Sequence, residues 1–353
     1  MNFLKKAAFS LIYGVLLISF TAYILLYTYV LPDDGIDVQN PPDTIIWGDQ
    51  SSASEPESGA ESGAESVSDQ SELSDDSGEE SAESAEQSSE EESSEEESSE
   101  EKPVWHEPVI TDTSYDDGLV QITLTTYREY NTTIYVADIK IATPELLKTG
   151  LGGDRFGRNI LRKTSDIAAG KEAILAVNGD YYCARKGCVL RNGALYRDFS
   201  NDPDDESLVI YADGSVDCVK ECESDGETLL AAGAMQVISF GPALIEDGEL
   251  SVTTTDEVDR AMVLNPRCAF AYYDKLHYAF VVSDGRTSES KGLKLYQLAE
   301  FMKGLGAKEA YNFDGGGSAT MYFNGKVINK PTTNGKEIVE RKVSDIVYIG
   351  YKY

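Results

Sequence analysis

Tyr311-Asn312-Phe313-Asp314-Gly315-Gly316-Gly317-Ser318-Ala319-Thr320-Met321 runs from a short apolar strand into three consecutive glycines and back into apolar residues. Consecutive glycines lose much backbone entropy on folding, so this loop predicts a backbone that must approach a ligand closely. Successive amides in such a loop make an anion-binding nest. No Gly-Lys-Ser/Thr follows, and the spacing is not Gly-x-Gly-x-x-Gly, so nucleotide loops of both common kinds are excluded. Asp314 and Ser318 flank the glycines and put a carboxylate and a hydroxyl at the strand end.

Two other strand ends are equally polar. Ala176-Val177-Asn178-Gly179-Asp180 delivers an amide and a carboxylate where a strand meets a loop. Val281-Val282-Ser283-Asp284-Gly285-Arg286 does the same with an arginine, whose planar fork suits phosphate or carboxylate. Ser288-Glu289-Ser290-Lys291-Gly292 follows, and Ser290 could equally cap the next helix.

Outside these ends the pattern is one of hairpins. Leu119–Tyr127 and Thr133–Ile141 are rich in Thr, Ile, Val and Tyr. Asn192-Gly193, Asp213-Gly214, Asp247-Gly248 and Asn324-Gly325 each sit between apolar or β-branched residues, as type I′ hairpin turns do. A fifth hairpin joins Cys268–Tyr273 to Tyr278–Ser283. Helices are few. Leu295, Leu298, Phe301, Met302 and Leu305 make one stripe over 294–305, with Gly306 as the stop, and a shorter helix spans Thr164–Ala169 before Gly170. The fold class expected is α+β: a mixed, hairpin-rich β-sheet domain over 103–353 with a few flanking helices, preceded by one transmembrane helix.

That helix is expected over 7–30. The run carries no charge and is long enough to cross a bilayer. Tyr23, Tyr27 and Tyr29 sit at its outer end, where interfacial aromatics belong, and Lys5 and Lys6 hold residues 1–6 in the cytoplasm. The expectation is an uncleaved signal-anchor in the cell membrane, single-pass, with an extracellular C-terminal domain. Residues 31–102 read as a disordered Ser/Glu-rich linker. The stretch 51–101 alone holds 20 acidic residues and no Lys or Arg, a composition that cannot bury a core. It accounts for most of the net charge of −32 and leaves −12 elsewhere. What remains is still net acidic and argues against nucleic acid, which needs a basic face.

Five cysteines, an odd number, fall within the domain. Cys183 with Cys188 and Cys218 with Cys222 are expected as short-loop disulfides, with Cys268 a buried thiol; these spacings do not suit zinc. The chain has two histidines, His106 and His277, so a Ser-His-Asp hydrolase is not expected. Acid–base work falls to carboxylates, tyrosines or the leaving group.

Taken together, Asn178-Gly179-Asp180-Tyr181-Tyr182, Gly241-Pro242-Ala243-Leu244, Pro266-Arg267, Asp284-Gly285-Arg286, Ser290-Lys291-Gly292 and above all Asn312 to Met321 resemble the phosphodiester glycosidase family, in its motif order, from about Leu119 to Tyr353. Phe313 replaces the family's usual leucine, and Tyr182 its frequent phenylalanine. The resemblance implies a hydrolase that cleaves a glycosyl-1-phosphodiester linkage in a phosphorylated carbohydrate, such as an exopolysaccharide or other cell-envelope polymer. The alternative is a non-catalytic module that binds phosphorylated or anionic surface glycans. Cleavage at the anomeric carbon expels a phosphomonoester, which leaves readily, so a strong general acid matters less than in ordinary glycosidases. The implied catalytic carboxylates are Asp314, Asp284, Asp180 and Glu289. The implied substrate contacts are Asn178, Gly179, Arg267, Arg286, Ser290, Gly315, Gly316, Gly317 and Ser318. No cofactor is firmly implied, and the carboxylates leave room for a divalent cation.

Overall fold

The computed structural model describes residues 16–27, 36–37, 103–198, 205–258 and 263–353. Residues 16–27 are helical, and the rest of the expected anchor, 7–15 and 28–30, lies outside the described residues. Among the described residues no helix is long and apolar enough to cross a membrane. Of the stretch read as a linker, Ile36–Asp37 pairs with Arg155–Phe156; residues 31–35 and 38–102 lie outside the description.

The domain is mostly β-sheet with few helices. A nine-stranded sheet runs, edge to edge, through Glu249–Leu250, Ala243–Glu246, Glu309–Phe313, Cys268–Asp274, His277–Ser283, Thr132–Ile141, Val120–Glu129, Ser114–Asp116 and Val109–Ile110. A five-stranded sheet orders Lys326–Val327, Met321–Phe323, Leu175–Asn178, Asp345–Ile349 and Leu147–Leu151. A second five-stranded sheet is built on Val189–Arg191, Ala234–Ile238 and Glu206–Tyr211.

The expected mixed sheet is corrected: every strand pairing among the described residues is antiparallel. The physical reason is visible around the helix Leu295–Gly304. That helix connects His277–Ser283 to Glu309–Phe313, a crossover that ordinarily yields a parallel pair. Cys268–Asp274 lies between the two strands and pairs antiparallel with both, so they never touch.

The turn chemistry behaves locally. Asn192-Gly193, Asp247-Gly248 and Asn324-Gly325 all take positive φ at both residues, as type I′ requires. Asp213-Gly214 also closes a hairpin, but only Gly214 has positive φ; the Asp213 carboxylate instead accepts the Ser215 N–H at 2.9 Å. Ser290 is not a helix cap: the helix begins after Lys294, whose N–H bonds the Gln297 side chain at 3.0 Å. A third short helix, Gly226–Ala231, was not expected; Asp225 caps it by accepting from the Thr228 N–H at 2.7 Å.

Alternation along the strands sorts the core. Phe270, Phe280, Val282, Tyr311 and Phe313 meet Leu175, Val177 and Val347 of the central five-stranded sheet. On the other face Ala269, Ala279, Val281 and Ala310 meet Leu295, Leu298, Ala299 and Met302 of the helix. The helix Thr164–Gly170 covers the far side of the central sheet through Ile167 and Ala168 against Ala176 and Tyr348.

Neither expected disulfide is formed. Cys188 packs inward with Leu190, Val209 and Leu229. Cys183 faces the Gly157 carbonyl, 3.1 Å away, beside a different cluster. Cys218 lies in a strand and Cys222 is exposed. Cys268 is fully buried. His277 pairs with Asp138 at the surface, 2.9 Å apart.

Candidate active site

The register aligns Cys268 with both Phe313 and Val282. Three polar segments therefore emerge together at the same end of three adjacent strands of the large sheet: Arg267 before its strand, Asp284 to Arg286 after the next, and Asp314 after Phe313. The end of the central strand Leu175–Asn178 is stapled to the same place. The Asn178 side chain donates to the Asp314 carbonyl at 2.6 Å and accepts from the Thr320 N–H at 3.2 Å, while the Asp314 N–H donates to the Gly179 carbonyl at 3.2 Å.

A cleft of about 250 Å³ opens at this junction. Four arginines, Arg185, Arg267, Arg286 and Arg341, line it together with one carboxylate residue, Asp314, and with Tyr181, Phe240 and Phe313 as apolar surface. In a chain this acidic, such a concentration of positive charge selects an anionic ligand.

Asp314 is 7% exposed. Arg341 Nη2 donates to its Oδ2 at 2.6 Å, and Arg341 Nε donates to Ser318 Oγ at 2.8 Å. Burial pushes the Asp314 carboxyl above the ordinary carboxylate range, and the Arg341 charge opposes that rise. Arg267 is held by Glu257 and by the Leu293 carbonyl at 3.1 Å. Arg286, at φ +62°, donates to Asn265 at 3.0 Å and to the Thr333 carbonyl.

The three glycines pack closely against neighbouring segments. The Gly316 N–H points away to the Pro266 carbonyl at 2.8 Å, and the Ser318 and Ala319 amides bond back to Gly315 and Gly316. A Cβ on Gly315 would lie 2.6 Å from the Pro266 carbonyl oxygen, and one on Gly317 would lie 2.2 Å from Thr333 Oγ1. Glycine is needed here for close backbone packing, and the guanidinium groups supply the positive charge.

Of the expected site residues, Arg267, Arg286, Asp314, Gly315 and Gly316 line the cleft. Asn178, Gly179, Gly317 and Ser318 hold the loop just behind it. The others are engaged elsewhere. Asp180 is fully buried, accepting from Arg191 Nη2 at 2.7 Å and the Ser239 N–H at 3.0 Å. Asp284 accepts from the Lys330 N–H at 2.7 Å and Tyr135 Oη at 3.3 Å. Ser290 accepts from the Thr133 N–H at 3.2 Å. Glu289 forms an exposed pair with Lys330 at 2.7 Å. Among the described residues no three His, Cys, Asp or Glu side chains gather into a metal-holding group.

Sequence reading missed Arg341, Arg185, Tyr181 and Phe240 as cleft residues. Arg341 sits in Glu340-Arg341-Lys342, a charged run that looks like solvated surface. Tyr181 carried one local signal, its place beside Asn178-Gly179-Asp180, and its φ of +59° turns it into the cleft.

Comparison with known proteins bears on the same region. The SPbeta prophage-derived uncharacterized protein YomE of Bacillus subtilis (strain 168) is 26% identical over 204 residues, covering 56% of this chain and 31% of that protein. The human N-acetylglucosamine-1-phosphodiester alpha-N-acetylglucosaminidase is 28% identical over 130 residues, covering 34% of this chain and 25% of the human one. The chain thus spans less than a third of the length of these relatives. The solved catalytic domain of the zebrafish N-acetylglucosamine-1-phosphodiester alpha-N-acetylglucosaminidase superposes with a TM-score of 0.52 at 21% identity, over 70% of this chain and 89% of that one, and so shares the fold. The family described as phosphodiester glycosidase matches residues 171–350, just over half of the chain. Since that span takes in every residue lining the cleft, from Tyr181 to Arg341, fold and sequence agree that the chain belongs to the phosphodiester glycosidase family.

Proposed function

We propose that the chain is a hydrolase that cleaves a glycosyl-1-phosphodiester. The observation that carries this reading is the cleft itself, lined by one buried carboxylate, Asp314, and by four arginines. The positive charge of the cleft attracts the phosphate, and the Asp314 carboxylate faces the anomeric carbon. The bond between that carbon and the phosphate oxygen breaks with its electron pair leaving on phosphate. Positive charge grows on the sugar, and a fixed carboxylate largely shielded from water stabilises it. Water supplies the new oxygen at the anomeric carbon and releases a proton to solvent. The human relative, named for its action on N-acetylglucosamine-1-phosphodiester, supports the same bond class.

The test is to incubate the protein with a panel of glycosyl-1-phosphodiesters and measure released phosphomonoester and reducing sugar. Turnover of at least one member is expected. Saturable binding with no product across the panel would make the domain a carbohydrate-binding module instead.

We further propose that residues 7–30 anchor the chain in the cell membrane and present the domain outside, toward phosphorylated polymers of the cell envelope. Protease added to intact cells is then expected to cut within 51–101 and release the domain. A full-length chain that becomes cleavable only after lysis would reverse the orientation.

A further inference from the structure

Arg185 differs from the other three cleft arginines. Arg267, Arg286 and Arg341 each spend donors on protein acceptors. Among the described residues the Arg185 guanidinium makes no hydrogen bond and no ion pair. It lies over the Phe240 ring, its central carbon 4.3 Å from the ring centroid. An arginine carries five N–H donors in a rigid fork, so this one faces the cleft with its hydrogen-bonding capacity unspent. Stacking on an aromatic face orients such a fork without consuming its donors.

The platform is itself fixed. The Phe240 N–H donates to Tyr311 Oη at 2.8 Å, and that hydroxyl donates to the Glu206 carbonyl at 2.6 Å. Gly241 follows at φ +74°, a turn that suits glycine. At the other end, the Arg185 N–H bonds the Tyr181 carbonyl at 3.3 Å, within the turn that also brings Tyr181 to the cleft.

We propose that Arg185 is the phosphate-gripping side chain of this cleft and that it selects substrates whose leaving group is a phosphate over those with a neutral one. The inference rests on the phosphodiester reading above. Guanidinium and phosphate meet through two parallel charge-assisted hydrogen bonds, a geometry that a neutral aglycone cannot return. Arg341 holds Asp314 and Ser318, and Arg286 is tied to Asn265 and Thr333, while Arg185 is available to the ligand.

The experiment has two arms. First, inorganic phosphate is titrated calorimetrically into the wild-type protein, Arg185→Met and Arg185→Lys. About tenfold or greater weakening is expected for Met, and partial weakening for Lys, which keeps the charge and loses the fork. Second, kcat/KM is measured on a turned-over glycosyl-1-phosphodiester and on an aryl glycoside with a neutral phenol leaving group. Arg185→Met is expected to lower the first by about 30-fold or more while changing the second by less than about threefold. Phe240→Leu, which leaves Arg185 without its platform, should give an intermediate loss on the phosphodiester and serves if Arg185→Met does not fold. Unchanged phosphate affinity, or equal losses on both substrate classes, overturns the proposal. A wild-type protein that turns over nothing defeats the hydrolase reading alone, and the phosphate titration then still decides the role of Arg185.

Discussion

Asp314→Asn is expected to lower kcat by about 100-fold or more while the domain stays folded. Asp314 is the one carboxylate among the described residues that lines the cleft. Its backbone is secured independently of its side chain, through the Asn178 amide on its carbonyl and the Gly179 carbonyl on its N–H. An asparagine there keeps an oxygen for Arg341 and loses only the charge. The glycine loop is likewise held without the carboxylate, by the Gly316 N–H on Pro266 and the Arg341 N–H on the Gly317 carbonyl at 3.1 Å. Measuring kcat and the thermal melt on one preparation separates chemistry from scaffolding. A near wild-type kcat, or a rate loss matched by loss of folded protein, would remove Asp314 from the chemistry.

The ionisation of Asp314 adds a direction to the same result. Because burial raises its pKa, the charged form is favoured only toward higher pH, and Arg341 holds that rise in check. The acid limb of kcat/KM should therefore move to higher pH in Arg341→Met.

Arg191→Met is expected to cost about 3–5 kcal/mol of stability, the penalty for stranding buried charges. Arg191 is 2% exposed, and its guanidinium bridges Asp180 Oδ2 at 2.7 Å and Asp345 Oδ2 at 2.9 Å, both fully buried. The bridge joins the loop after the central strand to the last strand of the same sheet and to the neighbouring sheet. Two carboxylates share one cation, so the cluster is short of positive charge even when intact. Asp345 is pushed up to about 7, first by burial and then by the Asp180 charge, with Arg191 opposing. A raised carboxylate contributes most to stability below its ordinary pKa of about 4, and the contribution is lost as pH rises through 7. Without Arg191 the carboxylates can escape buried charge only by protonation. The loss should therefore be larger at pH 8 than at pH 5.5. Urea melts of the soluble domain at the two values test this; a loss below about 1 kcal/mol, or one that shrinks as pH rises, would contradict it.

Where a residue's demand was local, it could be read along the chain. Asn192-Gly193, Asp247-Gly248 and Asn324-Gly325 close hairpins because the positive φ of a tight turn is a property of two residues and their immediate neighbours. The stripe Leu295, Leu298, Phe301, Met302 makes a helix because its period matches one buried face. Polar strand ends pointed to the side of the sheet where the cleft lies, since Asn, Asp or Arg at the end of an apolar strand needs partners that apolar side chains do not supply.

What depended on partners distant in sequence had no local trace. The three glycines announced a close approach, and only the folded chain reveals that Pro266 and Thr333 are what they approach. Asp180 and Asp314 look alike as carboxylates after apolar strands, yet one is neutralised by Arg191 in the interior and the other faces the cleft beside Arg341. Whether His277–Ser283 and Glu309–Phe313 pair or stand apart turned on Cys268–Asp274 inserting between them. Turn geometry and amphipathic period are set by neighbours along the chain, whereas ion-pair choice, strand adjacency and the contents of a cleft are set by which segments the hydrophobic core brings together.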